Sequence, residues 1–212
     1  MKKRLLEKIW QKAKLATWIL KNIPFIRMIA VNGSLATQKI NKNSDIDFFI
    51  ICYKTRLWTA RFFTQLILDI FGLRAKGKKY AQKICLNHFL SSQNYQLTPK
   101  NKYNAIEYSQ LIILYQEDCT HSKFLKNNLW IFKYVKEIKN IYSQNLPSFF
   151  KIFFEKILSS KIGDKLELKL KKMQLARIKS NPFFNHPDSV MKKTDQEFYY
   201  YTDARKKWKT RR

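Results

Sequence analysis

Asp45 and Asp47 stand one residue apart in Ser44-Asp45-Ile46-Asp47-Phe48-Phe49-Ile50-Ile51, a run that is otherwise apolar. In a strand, residues two apart point the same way, so the two carboxylates share a face while Ile46 and Phe48 point to the other. Two carboxylates that close repel each other and are expensive to bury unless a proton or cation neutralises them. A hard divalent cation does this well, and magnesium in particular binds one or two carboxylates together with a substrate's phosphate oxygens. Because the apolar run follows the pair, the strand enters a core while the acids sit at its mouth, where a site can open to solvent.

Gly33 and Ser34 supply the complement, with eleven positions from Ser34 to Asp45. A glycine lets the backbone approach a phosphate closely, and a serine hydroxyl and neighbouring amides can donate hydrogen bonds to it. If Ser34 to Gln38 opens a short helix, its N-terminus adds partial positive charge at the same point. A phosphate cradle beside a two-carboxylate metal site is equipment for phosphoryl or nucleotidyl transfer.

Val31-Asn32-Gly33-Ser34 and Ser44-Asp45-Ile46-Asp47-Phe48 at this spacing resemble the signature of the DNA polymerase β-like nucleotidyltransferase superfamily. Further likeness, to uncharacterised bacterial nucleotidyltransferase-domain proteins, runs through IPFIRMIAVNGSLA, SDIDFFI, RLWTAR, KICLN and QLARIKSNPFFNHPDSV. The resemblance implies a small mixed sheet with flanking helices, and with the helical patterns read later in the chain the expected fold is α+β, a nucleotidyltransferase-like core followed by a helical C-terminal region. It also implies Mg²⁺-dependent transfer of a nucleoside monophosphate from an NTP to a hydroxyl acceptor, which could be a small molecule, a protein or RNA. Gly33, Ser34 and Ser44 would then bind the nucleotide, and Asp45 and Asp47 would be the catalytic metal ligands.

The superfamily pattern includes a third carboxylate on a later strand, and KICLNHFL offers none. Asn87 and His88 occupy that place. An asparagine carbonyl can ligate metal but cannot take a proton, whereas a histidine titrates near neutral pH and could act as the base. A lone histidine on an apolar strand is more often a satisfied core residue. Glu107 is another candidate acid, with no spacing to support it. Two alternatives therefore stand beside the enzyme: a nucleotidyltransferase-fold pseudoenzyme, and a basic nucleic-acid-binding protein whose aspartates are incidental.

The elements that would position these groups can be read from periodicity. Apolar residues from Leu5 to Ile19 predict an amphipathic helix over about 3–20. Ile26 to Gly33 reads as a strand feeding a turn, and Asp45 to Tyr53 as a second. Thr55 is a plausible N-cap for a helix from about Arg56 to Phe71, closed at Gly72. Lys83 to Ser92 reads as a third strand, with Ile84, Leu86, His88 and Leu90 on one side and Cys85, Asn87 and Phe89 on the other. Helical patterns then cover 102–116, 122–138, 148–160 and 165–180. The expected division is an α/β core over 1–118, a helical region over 119–180, and a basic, aromatic-rich tail over 181–212. Within that tail, Phe198 to Tyr201 reads as an edge strand on the core rather than a single-strand nucleic-acid platform.

Bulk properties narrow the classes. Forty-two Lys and Arg against fifteen Asp and Glu give a net charge of +27 over 212 residues. Such a surface attracts RNA and other polyanions, although an AT-rich genome would also enrich lysine. Arg56, Arg61 and Arg74 read as solvated cations, with phosphate contact the alternative. Three cysteines without metal-like spacing suggest reduced thiols in a cytoplasmic protein. Charges break the N-terminal region too often for a signal-peptide core, and Leu57 to Leu73 is too short and charged to span a bilayer. Ser148 to Ser160 is apolar almost all round, with Lys151, Glu155 and Lys156 on a narrow strip. Burial between helices is its expected fate, and a membrane surface the alternative.

Overall fold

Six strands carry the described part of the chain: β1 (Ile26–Asn32), β2 (Ile46–Cys52), β3 (Ile84–Ser91), β4 (Ile112–Gln116), β5 (Val190–Lys193) and β6 (Glu197–Tyr201). They form one mixed sheet in the order β4-β1-β2-β3-β6-β5. Only β2 and β3 run parallel; the other neighbours are antiparallel. This computed structural model describes residues 2–77, 79–138, 145–181 and 190–201. The fold is α+β, as the sequence predicts.

β2 is buried along its whole length, which explains why its sequence is nearly continuous hydrophobic rather than alternating. Phe48, Ile50 and Cys52 pack to one side with Ile9, Ala13, Trp58 and Ile178. These come from α1 (Lys2–Leu20), α3 (Leu57–Ile70) and α7 (Lys161–Ser180). Phe49 and Ile51 pack to the other side with Ala105, Tyr108 and Phe124, from α4 (Lys102–Ser109) and α5 (Thr120–Asn127).

Several sequence expectations are corrected. The helical pattern over 102–116 is interrupted at Gln110, and its second half is β4, paired with β1. A bulge-like register shift separates Asp47↔Cys85 from Phe49↔His88. Beyond it the faces of β3 exchange, so Phe89 joins Ile84 and Leu86 on one side while His88 stacks on Phe49 and Tyr108 on the other. Thr55 does not cap α3. It takes a left-handed conformation (φ 60°), and Glu167 from α7 accepts the amides of Trp58 and Thr59 at 2.8 Å each. A distant carboxylate thus does the work of a local cap. The pattern over 122–138 becomes α5 and a short 3₁₀ turn, Leu129–Lys133. β6 pairs on both edges, with β3 and β5, rather than lying at the margin.

None of the three arginines is solvated. Arg61 is buried over the Phe198 ring at 3.8 Å and donates to Gln174 at 2.6 Å. Burial, with Arg74 adding to it, pulls its pKa down to about 9, so it stays charged at neutral pH. Arg56 clasps Asp164 at 2.6 Å and the Leu158 carbonyl at 3.2 Å, and Arg74 holds Asp69 through two bonds of 2.6 and 2.7 Å. Arg56 and Arg61 thus join distant parts of the chain, while Arg74 closes a local pair with the end of α3.

The helix α6 (Phe149–Leu158) is reversed relative to the expectation of burial between helices. Lys151 and Glu155 of its polar strip face inward, while Lys156 is exposed. Lys151 is fully buried, donating to Glu117 at 2.5 Å and to the Ile26 carbonyl. Arg27 binds Glu155 bidentately at 2.7 Å through each nitrogen and reaches Glu117 at 3.2 Å. Burial pulls the Lys151 pKa below its ordinary value. Burial also pushes the Glu155 carboxyl up, but its bonds to Arg27 more than reverse this and leave it low. The turn from α6 into α7 is tight enough that a Cβ on Gly163 would collide with the Leu158 carbonyl.

Candidate metal and nucleotide site

The end of β1, the start of β2 and the start of β3 converge on one corner of the sheet. Asn32 lies opposite Asp47 in the β1–β2 register, and Asp47 lies opposite Cys85 in the β2–β3 register. Asp45, just before β2, keeps the same face as Asp47. One ligand atom from each of Asp45, Asp47 and Cys85 lies within 4.8 Å of the others. At that spacing two ionised carboxylates repel by about 3 kcal/mol near a protein surface, a penalty that a divalent cation would reverse. Asp47 is buried and Asp45 and Cys85 are half-buried, so the group opens toward solvent on one side.

Asn32 organises the neighbouring turn. Its side-chain oxygen accepts the Gly33 amide at 2.8 Å, capping the short helix α2 (Gly33–Ala36). Its amide donates to Glu107 of α4 at 3.1 Å. Gly33 adopts φ +66°, and a Cβ there would fall 2.4 Å from Asp47 Oδ2. Glycine is therefore required twice, for the left-handed backbone and for the space the carboxylate occupies. Asn87 donates to the other oxygen of Asp47 at 2.7 Å.

A cavity of about 310 Å³ adjoins this corner, lined by Asn32, Gly33, Ser34, Thr37, Glu107 and the Tyr103–Ile106–Gln110 side of α4. Gly33 and Ser34 thus face a space large enough for part of a nucleotide. Ser44, next to Asp45, does not line the cavity; its hydroxyl accepts the Asn41 amide at 3.0 Å and closes the loop before β2. His88 is also apart from the cavity. Its two ring nitrogens meet the Tyr108 hydroxyl and, at 3.0 Å, Glu197. Burial raises the Glu197 pKa, but bonds to His88 and Lys192 more than offset this and hold it below the ordinary carboxyl range. Of the two residues at the third position, Asn87 touches Asp47 and His88 belongs to a buried polar cluster.

Asn32 and Cys85 are the site residues that sequence reasoning missed. Cys85 has a local signal, since it shares a strand face with Asn87 ahead of the bulge. Asn32 has a weaker one, as a side-chain cap directly before Gly33. Glu107 comes to the site through tertiary packing of α4, which no spacing in the chain announces. The two carboxylates on one face, next to a glycine whose missing side chain leaves room for one of them, fit a hard divalent cation such as magnesium, whereas the neighbouring Cys85 thiol is a soft donor that such a cation does not favour. No protein-family model and no characterised protein matches the chain.

Proposed function

We propose that the protein is a metal-dependent nucleotidyltransferase that moves a nucleoside monophosphate from an NTP to a hydroxyl acceptor. The observation that carries this reading is the meeting of Asp45, Asp47 and Cys85 beside the Gly33–Ser34 turn. The spacing resemblance to the polymerase β-like superfamily points the same way. Bound Mg²⁺ would supply charge neutralisation of the triphosphate and of the developing oxyanion. Asp45 and Asp47 hold that cation, with the Asn87 amide orienting Asp47. The Gly33 amide is taken by Asn32, so the Ser34 hydroxyl at this turn binds phosphate oxygens, and the cavity toward Tyr103 and Ile106 takes the remainder of the nucleotide or the acceptor. Glu107 lines that cavity and accepts the proton of the attacking hydroxyl. The new bond forms from the acceptor oxygen to the α-phosphorus as pyrophosphate departs. RNA is an attractive acceptor for a chain of charge +27, and the cytoplasm is the fitting compartment because Cys52, Cys85 and Cys119 form no disulfide.

The test is incubation of purified protein with labelled NTPs, Mg²⁺ and a mixed pool of RNA, protein and small-molecule hydroxyls. Labelled product should form, and Asp45→Asn and Asp47→Asn variants that stay folded should lose it by at least about a hundredfold. Equal labelling by wild type and both variants would refute the metal site. One observation favours a second reading: the position of the expected third carboxylate is Asn87, which donates to Asp47. Wild type that binds NTP without transferring label to any acceptor would establish that pseudoenzyme instead.

A further inference from the structure

The outward face of α6 is the least expected surface of the molecule. Phe149 and Phe150 are 77% and 71% exposed, and Ile152, Phe153, Phe154 and Ile157 are about half exposed. Leu146, just ahead of the helix, is 94% exposed. Isolated exposed apolar residues are ordinary, but a contiguous aromatic face of this kind marks an interaction site. The helix cannot roll to hide it. Lys151 and Glu155 are held by Glu117 and Arg27 inside the fold, and Arg56 ties down the α6–α7 junction through Asp164 and the Leu158 carbonyl. Turning the phenyl rings inward would pull these paired charges apart, which is strongly unfavourable for buried ions.

We propose that this face docks on an anionic lipid bilayer. Phenylalanine and isoleucine on one side of a helix, with lysines beside them, is the composition of an interfacial helix. Lys156 sits within the exposed arc, and Lys161 and Lys165 are exposed in the following turns of α7. Charge selects this occupant over a second copy of the chain: two molecules of +27 repel, whereas a phosphatidylserine surface attracts each basic residue brought near it. No helix among the described residues is long and apolar enough to cross a membrane, so attachment is to the surface and not through it.

The experiment is co-sedimentation of the full chain with vesicles of phosphatidylcholine alone and of phosphatidylcholine mixed with phosphatidylserine. Wild type should bind the mixed vesicles at least about tenfold more tightly than the neutral ones. The Phe149→Ser/Phe153→Ser variant should bind the mixed vesicles at least about tenfold more weakly than wild type. Phe149→Leu/Phe153→Leu, which keeps the apolar face, should bind within about threefold of wild type. Circular dichroism checks folding, and Phe149→Ser alone, at the most exposed ring, reports the same direction if the double variant unfolds. Three results would overturn the proposal: wild type that leaves mixed vesicles unbound, serine variants that bind like wild type, and a wild-type dimer that the serine changes dissociate without any vesicle binding.

Discussion

Replacing Gly33 with alanine perturbs the proposed site at its tightest point. Two contributions follow from the geometry. Alanine at φ +66° costs about 1–2 kcal/mol in left-handed backbone. Its Cβ would sit 2.4 Å from Asp47 Oδ2, so the carboxylate must swing away and lose the 2.7 Å bond from Asn87. A bond to a charged acceptor contributes roughly 1.5–3 kcal/mol. Together these amount to roughly 2.5–5 kcal/mol, which lowers the melting temperature by on the order of 10 °C in a chain of this length. Gly72→Ala is the matched control, because Gly72 has φ +61° with nothing within 4 Å of its added Cβ. It carries only the backbone contribution and should melt about 5 °C below wild type. Differential scanning calorimetry measures both, and electron paramagnetic resonance titration with Mn²⁺ reads the site directly. Gly33→Ala should bind Mn²⁺ at least about tenfold more weakly, with Gly72→Ala unchanged. Two alanine variants that melt together and bind Mn²⁺ like wild type would refute the contact between Gly33 and the metal-binding carboxylate.

The buried Arg61 should show the asymmetry between removing one polar partner and removing both. Gln174→Leu leaves the guanidinium and the Trp58 carbonyl without their bonds of 2.6 and 2.8 Å, and should destabilise by roughly 2–4 kcal/mol in urea unfolding. Adding Arg61→Met should recover at least about half of that loss, because an apolar side chain of similar length then replaces the charge; a double variant weaker than Gln174→Leu alone would contradict this. Acid should act through Glu155 and Glu197, whose folded pKa values lie below the ordinary carboxyl value. Their stabilisation is complete above the unfolded value of about 4.3 and is lost as pH falls through the lower folded values. Melting temperature should therefore fall steeply below about pH 4, and Glu155→Gln should flatten that fall; a parallel profile for the variant would rule out the Arg27–Glu155 pair as its source.

Local pattern carried the reading where a segment's own side chains set its structure. Asp47 in β2 and Asp45 one residue ahead of it lie two apart in extended chain, which puts their carboxylates together, and the apolar run after them had to be a covered strand. The first helix and α3 follow in the same way from apolar spacing. Pattern failed where two structures satisfy the same residues. Ile112 to Gln116 suits helix or strand equally, and the open edge of β1 decided for strand by offering hydrogen bonds. On β3, alternation extended past Asn87 put His88 on the wrong face, since a register shift depends on the neighbouring strand and not on the residues themselves.

What the sequence by itself determined is a basic chain with a glycine–serine turn and two aspartates on one strand face. Tertiary structure alone decided that Glu107 comes to that corner while His88 does not. It also decided which side of α6 faces water. Apolar periodicity names two faces of a helix, but the buried one is chosen by the partners available. Lys151 and Glu155 find Glu117 and Arg27, far away in the chain, and charged groups so paired can be buried while phenylalanines stay outside.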